Sequence, residues 1–354
     1  MVTLFACTAT AEDERRAAEP SDESQQSAGE EAGTDETGPA SEPAGALPWS
    51  GFALEARPDG ALRLTEPPPD TSDQNAAFSP DGTLILFTRF DNGYNEGPAG
   101  MYLLDLVSGE INRLFWEDDQ DAVNMPGTSW NSVSDRIVFA SDRAGRGEIW
   151  TMADDGSDLF QVTEHSTDIA YAEPTFSPDG EWIAFQVVDF DVPEDEQRGS
   201  LWLVRADGSG LRQLTDGPGG GYDDRQPNWS PAGDQIVFQR LQAGAEDWDL
   251  YTIRADGSDL RQVTSGPADD TDASWSPDGR RIVYSSNYGD LPVPVIFIIS
   301  AEGGEPIWVT YTEDHYDGAI SWSPDGMWIV FESHPGEEDS PTALWIIAAP
   351  ELAE

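Results

Sequence analysis

Lysine is missing altogether from this 354-residue chain: its 18 basic residues are all arginine, set against 68 aspartates and glutamates for a formal net charge of −50. Without basic clusters the chain has no footprint for displacing counterions from a nucleic acid, and anionic headgroups repel it. Nucleic acid is therefore excluded as a partner. A single cysteine, Cys7, rules out an intramolecular disulfide. No run approaches the roughly 20 apolar residues of a membrane-spanning helix. Histidine occurs only at positions 165, 315 and 334, and the Gly-x-Ser-x-Gly, Cys-x-x-Cys, His-Glu-x-x-His and Walker signatures are all missing. The acidity reads in two ways: as a solubility or salt-tolerance device, or as a surface for cations or a basic partner.

What the chain does have is aromatic residues, 13 Trp, 14 Phe and 9 Tyr, enough to build a large core in a chain of this length. They are absent from residues 8–48, where Glu, Asp, Ser, Ala, Gly, Thr and Pro dominate. Such a segment buries too little to offset its ordering entropy, so residues 8–50 are expected to be a disordered acidic linker. As a coil, about 40 residues span roughly 35 Å. Ahead of it, Leu4-Phe5-Ala6-Cys7 resembles the lipobox of bacterial lipoproteins, with Cys7 as the lipidated residue. Residues 1–7 are then the remnant of a lipoprotein signal whose true start lies upstream, because the apolar run before such a site needs 7–15 residues. The competing reading is a stray cysteine in a disordered tail.

From residue 51 onward the chain repeats. An aromatic followed by Ser-Pro-Asp-Gly begins at Phe78, Phe176, Trp275 and Trp322; Trp229-Ser230-Pro231-Ala232-Gly233 is a variant, and Trp130 keeps only the aromatic. These anchors are 52, 46, 53, 46 and 47 residues apart. Proline presets the first turn position, and glycine takes the left-handed one, so each motif is a tight hairpin. After it come alternating β-branched and aromatic runs such as Ile137-Val138-Phe139 and Ile236-Val237-Phe238. A second hairpin turns at Asp155-Gly156, Asp207-Gly208 or Asp256-Gly257, and a short outer strand ends in Thr163, Thr215, Thr264 or Thr310. Four strands per unit make one propeller blade. The spacing predicts an all-β fold: a six-bladed β-propeller of four-stranded antiparallel blades over 51–354. Its blades fall at about 73–115, 124–163, 171–215, 223–264, 270–310 and 316–348. The last unit lacks an outer strand, which Ala61–Thr65 within 52–65 is expected to supply; Phe52–Glu55 competes for the place of the third strand, Leu344–Ile347.

These anchors and strand endings resemble the TolB-type, WD-like β-propeller repeat, over nearly all of the chain after the linker. The resemblance implies an extracytoplasmic location, in the periplasm or at the cell surface, since TolB is a periplasmic protein that binds a lipoprotein at its propeller. TolB also carries an α/β domain before the propeller, whereas here the linker occupies that place.

In a propeller, the loops entering the inner strands ring the central channel. Here they carry Asp73, Asn75, Tyr171, Glu173, Tyr222, Asp223, Asp224, Arg225, Asp270, Asp272, His315, Tyr316 and Asp317. Acids recur three to six positions before the aromatic, and similar offsets place them at similar depths. One expectation is a channel mouth that binds an envelope protein, a peptide or a basic segment, on a monomer anchored to the membrane through Cys7. No cofactor is expected; a calcium ion in the channel is the one candidate. An enzymatic alternative, similar to the oligogalacturonate lyases or another metal-dependent carbohydrate-active propeller, would draw on His315, Tyr316, Arg225 and the acids. A third reading is a structural envelope protein whose acidity serves salt tolerance.

Overall fold

The computed structural model describes residues 52–114, 122–125, 130–167, 169–189, 192–193, 196–289, 291–336 and 340–350. The expected lipidation residue Cys7 and the linker 8–50 lie outside the described residues. Two short strands, β1 (Glu55–Ala56) and β2 (Leu62–Arg63), open the fold. Blade 1 is β3 (Ser72–Phe78), β4 (Leu84–Phe90), β5 (Ala99–Asp105) and β6 (Ile111–Arg113). In blade 2 the inner strand is split into β7 (Asn124–Met125) and β8 (Trp130–Asn131), followed by β9 (Arg136–Ser141), β10 (Glu148–Ala153) and β11 (Phe160–Gln161). Blade 3 is β12 (Ala170–Phe176), β13 (Trp182–Val188), β14 (Gly199–Arg205) and β15 (Arg212–Gln213), and blade 4 is β16 (Tyr222–Trp229), β17 (Gln235–Gln242), β18 (Trp248–Arg254) and β19 (Arg261–Gln262). Blade 5 is β20 (Asp270–Trp275), β21 (Arg281–Ser286), β22 (Val295–Ser300) and β23 (Ile307–Trp308), and blade 6 begins with β24 (His315–Trp322), β25 (Trp328–Pro335) and β26 (Ala343–Ala348).

The N-terminal strands close the ring. Leu62 pairs with Ile346 and Arg63 with Trp345, so β2 is the fourth strand of blade 6. The segment expected to compete with the third strand instead adds outside it, Glu55 pairing with Arg63. Thr65 completes the equivalence. In blades 2 to 5 the threonine ending the outer strand accepts the third-strand amide at 2.9–3.0 Å, from Ile149 to Thr163, Leu201 to Thr215, Leu250 to Thr264 and Ile296 to Thr310. Leu344 donates to Thr65 at 3.0 Å in the same way, across nearly the whole chain.

The hairpin motif works through its serine. Ser79 Oγ accepts from the Leu84 amide and donates to Asp81, whose carboxylate also takes the Thr83 amide; these bonds hold Asp81 below the usual carboxylate range. The variant unit that has Ala232 recovers the contact from Asp234, 3.1 Å from Ser230 Oγ. In blade 2, which keeps only the aromatic of the motif, Asn131 replaces the whole device. Its Oδ1 accepts from the amides of Val133 and Ser134, and its Nδ2 donates to Ser177 of the next blade.

The core lies between blades. Second strands place Phe87, Phe139, Phe185, Phe238, Tyr284 and Phe331 at one equivalent depth, each fully buried. Burying such a ring stabilises by about 1.5–3 kcal/mol. At the boundary of blades 3 and 4, for example, Ala184, Leu201 and Leu203 meet Trp229, Phe238 and Tyr251.

Candidate functional site

Five inner strands carry the same irregularity. Their register with the second strand slips between Gln74 and Ala77, Ala172 and Thr175, Arg225 and Asn228, Thr271 and Ser274, and Gly318 and Ser321. Each bulge holds a non-glycine residue in the left-handed region: Asn75, Glu173, Gln226, Asp272 and Ala319, with φ between 47° and 56°. All five stand three positions before their aromatic anchor. They line one central cavity of about 60 Å³, room for a few waters.

The bulges free backbone amides, and side chains from the preceding blade satisfy them. Gln186 accepts from Gln226 N at 3.0 Å, Gln239 from Asp272 N at 3.2 Å, and Glu332 from Asn75 N at 3.2 Å. Asp272 in turn accepts from Ala319 N at 3.2 Å. Glu332 thus stands where two other blades use glutamine. Burial and the charge of Asp272 raise its pKa to about 8. Burial and Asp272 likewise raise Glu173 to about 7, and burial raises Asp272. Burial and mutual repulsion thus bias these carboxyls toward the protonated form.

Five positions before the aromatic the side chains do something else. Asp73 grips Arg89 at 2.6 and 2.8 Å, and Asp224 grips Arg240 at 2.5 and 2.9 Å, both as bidentate pairs between cross-strand partners. Asp317 faces Ser333 instead and takes its guanidinium from Arg57, next to the closing strand, at 2.8 and 2.9 Å. These acids are buried and committed to the frame. Asp223 and Arg225 pair with each other at 2.8 Å, and Asp223 also accepts from the Gly199 amide.

The structure therefore brings Asn75, Glu173 and Asp272 together in the cavity and places the other sequence candidates elsewhere. Tyr171 is buried between His165 and Phe185. Asp270 accepts from Ser286 at 2.6 Å. Tyr222 lies half-buried with its ring 4.1 Å from the Arg240 guanidinium. His315 bonds to the exposed Asp314. Tyr316 stacks on His334, with ring centres 5.0 Å apart and planes at 5°.

Sequence reasoning missed Gln226, Glu332, Tyr94 and His334. Tyr94 reaches Glu332 Oε1 at 3.4 Å and faces His334, so His334 is the histidine beside the channel carboxyls. Gln226 shares the minus-three offset, which could have found it. Glu332 sits on a second strand, and its only signal is the alignment of Gln186, Gln239 and Glu332 ten positions after their aromatics. Among the described residues, no three His, Cys, Asp or Glu stand together as a metal-ligand set.

Comparison with known proteins fits this geometry. The model of the TolB β-propeller domain matches residues 69–247 and 221–340. The chain belongs to the TolB β-propeller domain family. It is 31% identical over 168 residues to an uncharacterised protein of Agrobacterium fabrum, covering 46% of this chain and 53% of that one. It is also 31% identical over 101 residues to the Tol-Pal system protein TolB of Anaeromyxobacter dehalogenans, covering 28% of this chain and 20% of that one. The alignments thus span about half of the first relative and a fifth of the second. Among solved structures, a TolB candidate from Agrobacterium tumefaciens superposes with a TM-score of 0.56 at 18% identity, covering 82% of this chain and 94% of that one. An oligogalacturonate lyase from Vibrio parahaemolyticus superposes at 0.54 with 15% identity and the same coverage. Both likenesses speak to fold alone.

Proposed function

We propose that this propeller is an extracytoplasmic binding platform, tethered to the envelope by a lipid at Cys7, that docks a protein or peptide on the channel face. The observation that carries the reading is the state of the channel. Its cavity of about 60 Å³ is far below the roughly 300–1,000 Å³ that encloses a small-molecule ligand. Asp272 and Glu332 each accept a backbone amide, and Asp73, Asp224 and Asp317, five positions before the aromatics, are spent on arginines. Part-buried aromatic rings, Tyr94, Tyr222 and Tyr316, held in place by Glu332, Arg240 and His334, are of the kind enriched at interfaces. Likeness to a Tol-Pal system protein supports the envelope setting.

The test is capture from an envelope extract of the source cell, using the full chain and a variant with Tyr94, Tyr222 and Tyr316 all changed to Ala. A partner held by the parent and lost by the folded variant supports the reading; equal capture by both sinks it.

A carbohydrate-active propeller is the second reading. One observation favours it: the Tyr316–His334 stack, which Tyr94 links to the buried Glu332. Oligogalacturonides turned over to an unsaturated, ultraviolet-absorbing product, with loss of turnover in His334→Ala, would favour this reading over docking.

A further inference from the structure

Five of the six blades place a cationic or protonatable group over the aromatic pair formed by their second and third strands, or over its neighbour. The Arg89 guanidinium lies 5.6 Å from Phe87 and 5.1 Å from Tyr102. Arg240 lies 5.3 Å from Phe238 and 5.1 Å from Tyr251, and Arg57 5.5 Å from Phe331 and 5.2 Å from Trp345. In these three blades the same guanidinium is held by the inner-strand aspartate. Blade 2 uses Arg143, 5.2 Å from Phe139 and 5.3 Å from Trp150 and anchored on Ser141 Oγ. Blade 3 uses His165, which pairs with Glu148 at 2.8 Å and whose ring centre lies 4.4 Å from that of Tyr171 at a tilt of 31°.

Blade 5 has every part of this device except the cation. Asp270 occupies the aspartate position, and Tyr284 and Phe297 form the aromatic pair, 6.0 Å apart. The cross-strand partner of Asp270 is Ser286, where blades 1 and 4 have Arg89 and Arg240. Among the described residues no arginine pairs with Asp270 or covers that aromatic pair. Tyr288 stands in the place of Arg143: both lie two residues after a serine whose Oγ takes their amide, at 3.0 Å for Tyr288 and 3.3 Å for Arg143. The Tyr288 ring meets Phe297 edge-on at 5.9 Å and is 40% exposed. The surroundings add negative charge, from Asp247, Asp249 and Asp269, and Asp249 Oδ1 is buried without a hydrogen-bond partner.

We propose that blade 5 is a receptor for an external guanidinium, an arginine side chain of the docked partner, which displaces Tyr288, pairs with Asp270 and covers Tyr284 and Phe297 as the chain's own arginines do elsewhere. Planar bidentate geometry and stacking favour guanidinium over ammonium. Burial, then the neighbouring carboxylates, raises Asp270 to about 6. The groups facing it are Ser286, Thr264, Tyr284, Asp247, Asp249 and Asp269. Guanidinium binding therefore releases a proton from Asp270 below that pH and tightens as pH rises through about 6.

The proposal rests on the docking reading only for which molecule carries the guanidinium, so the test uses a small probe. Calorimetric titration of the full chain with N-acetyl-L-arginine amide at pH 7.5 is expected to show saturable one-to-one binding, weaker at pH 5. The uncharged citrulline analogue should bind at least about tenfold more weakly, as should the arginine probe to Asp270→Asn, from loss of a charge-assisted pair. Ser286→Arg supplies the pairing already present in blades 1 and 4; it should fold, gain thermal stability at pH 7.5 and no longer bind the probe. No saturable binding to the parent, or equal binding by Ser286→Arg, overturns the proposal. Probe binding without any captured partner would instead leave this site standing and defeat the docking reading.

Discussion

Replacing Glu332 with glutamine should stabilise this protein at neutral and alkaline pH. Glu332 is 7% exposed and accepts one backbone amide, from Asn75. Gln186 and Gln239 do the same work in other blades without a charge. The folded pKa of Glu332 lies above its unfolded value, at about 8 against 4.5. Its contribution to stability is thus fully present below pH 4.5 and is lost as pH rises through 8. The full difference corresponds to about 5 kcal/mol, of which about 3 has been lost at pH 7. Part of that sum is repulsion shared with Asp272 and Glu173. Glu332→Gln keeps the acceptor for Asn75 and turns a donor toward Tyr94. Urea unfolding at pH 5, 7 and 9 should show parent and variant nearly equal at pH 5, with the variant ahead by a widening margin above it. A variant less stable than the parent at pH 9, or an unchanged pH slope, would refute the argument that this carboxyl is held protonated.

Glu173→Gln should act with the same sign over the window from pH 4.5 to about 7, seen as a shallower fall of urea midpoint with pH. Arg240→Ala strands Asp224 in the interior and should cost about 3–5 kcal/mol in chemical denaturation; replacing both residues with apolar ones of similar volume should recover much of it. Thr65→Ala removes the acceptor for Leu344 N. It should lower stability by about 1–3 kcal/mol and open blade 6 first, read as faster amide exchange in Ala343–Ala348. Asn131→Ala removes the substitute turn of blade 2 together with its bond to blade 3 and should lower the melting temperature, whereas Ala232→Asp, which restores the common motif, should not.

The fold was legible because its signals are local and repeated. Ser-Pro-Asp-Gly encodes a turn closed within five residues, the terminal threonine a bond 14 residues back in four blades, and the six aromatic anchors with their alternating second strands set the ring. Closure was legible in outline, since Thr65 matches the other threonines. The outward place of Glu55–Ala56 was not, because an edge strand leaves no burial pattern: both residues are exposed. The site was harder to read. An aspartate five positions before the aromatic and an acid three positions before it look alike in sequence. The bulge sends one toward an arginine within the blade and the other into the channel. Arg89 and Arg240 could have been matched to Asp73 and Asp224 by cross-strand register. Arg57 could not, because its pairing with Asp317 exists only once the ring has closed.

Docking of a partner on the channel face would put that partner beside Tyr222. A photo-crosslinking amino acid placed at Tyr222, at the start of an inner strand, or at Leu211, beside the Asp207-Gly208 turn at the opposite end of the blade, tests it most directly in living cells. One defined protein adduct is expected from position 222 and none from position 211. An adduct from 211 alone, or none from either while the chain is folded and expressed, would contradict docking on that face.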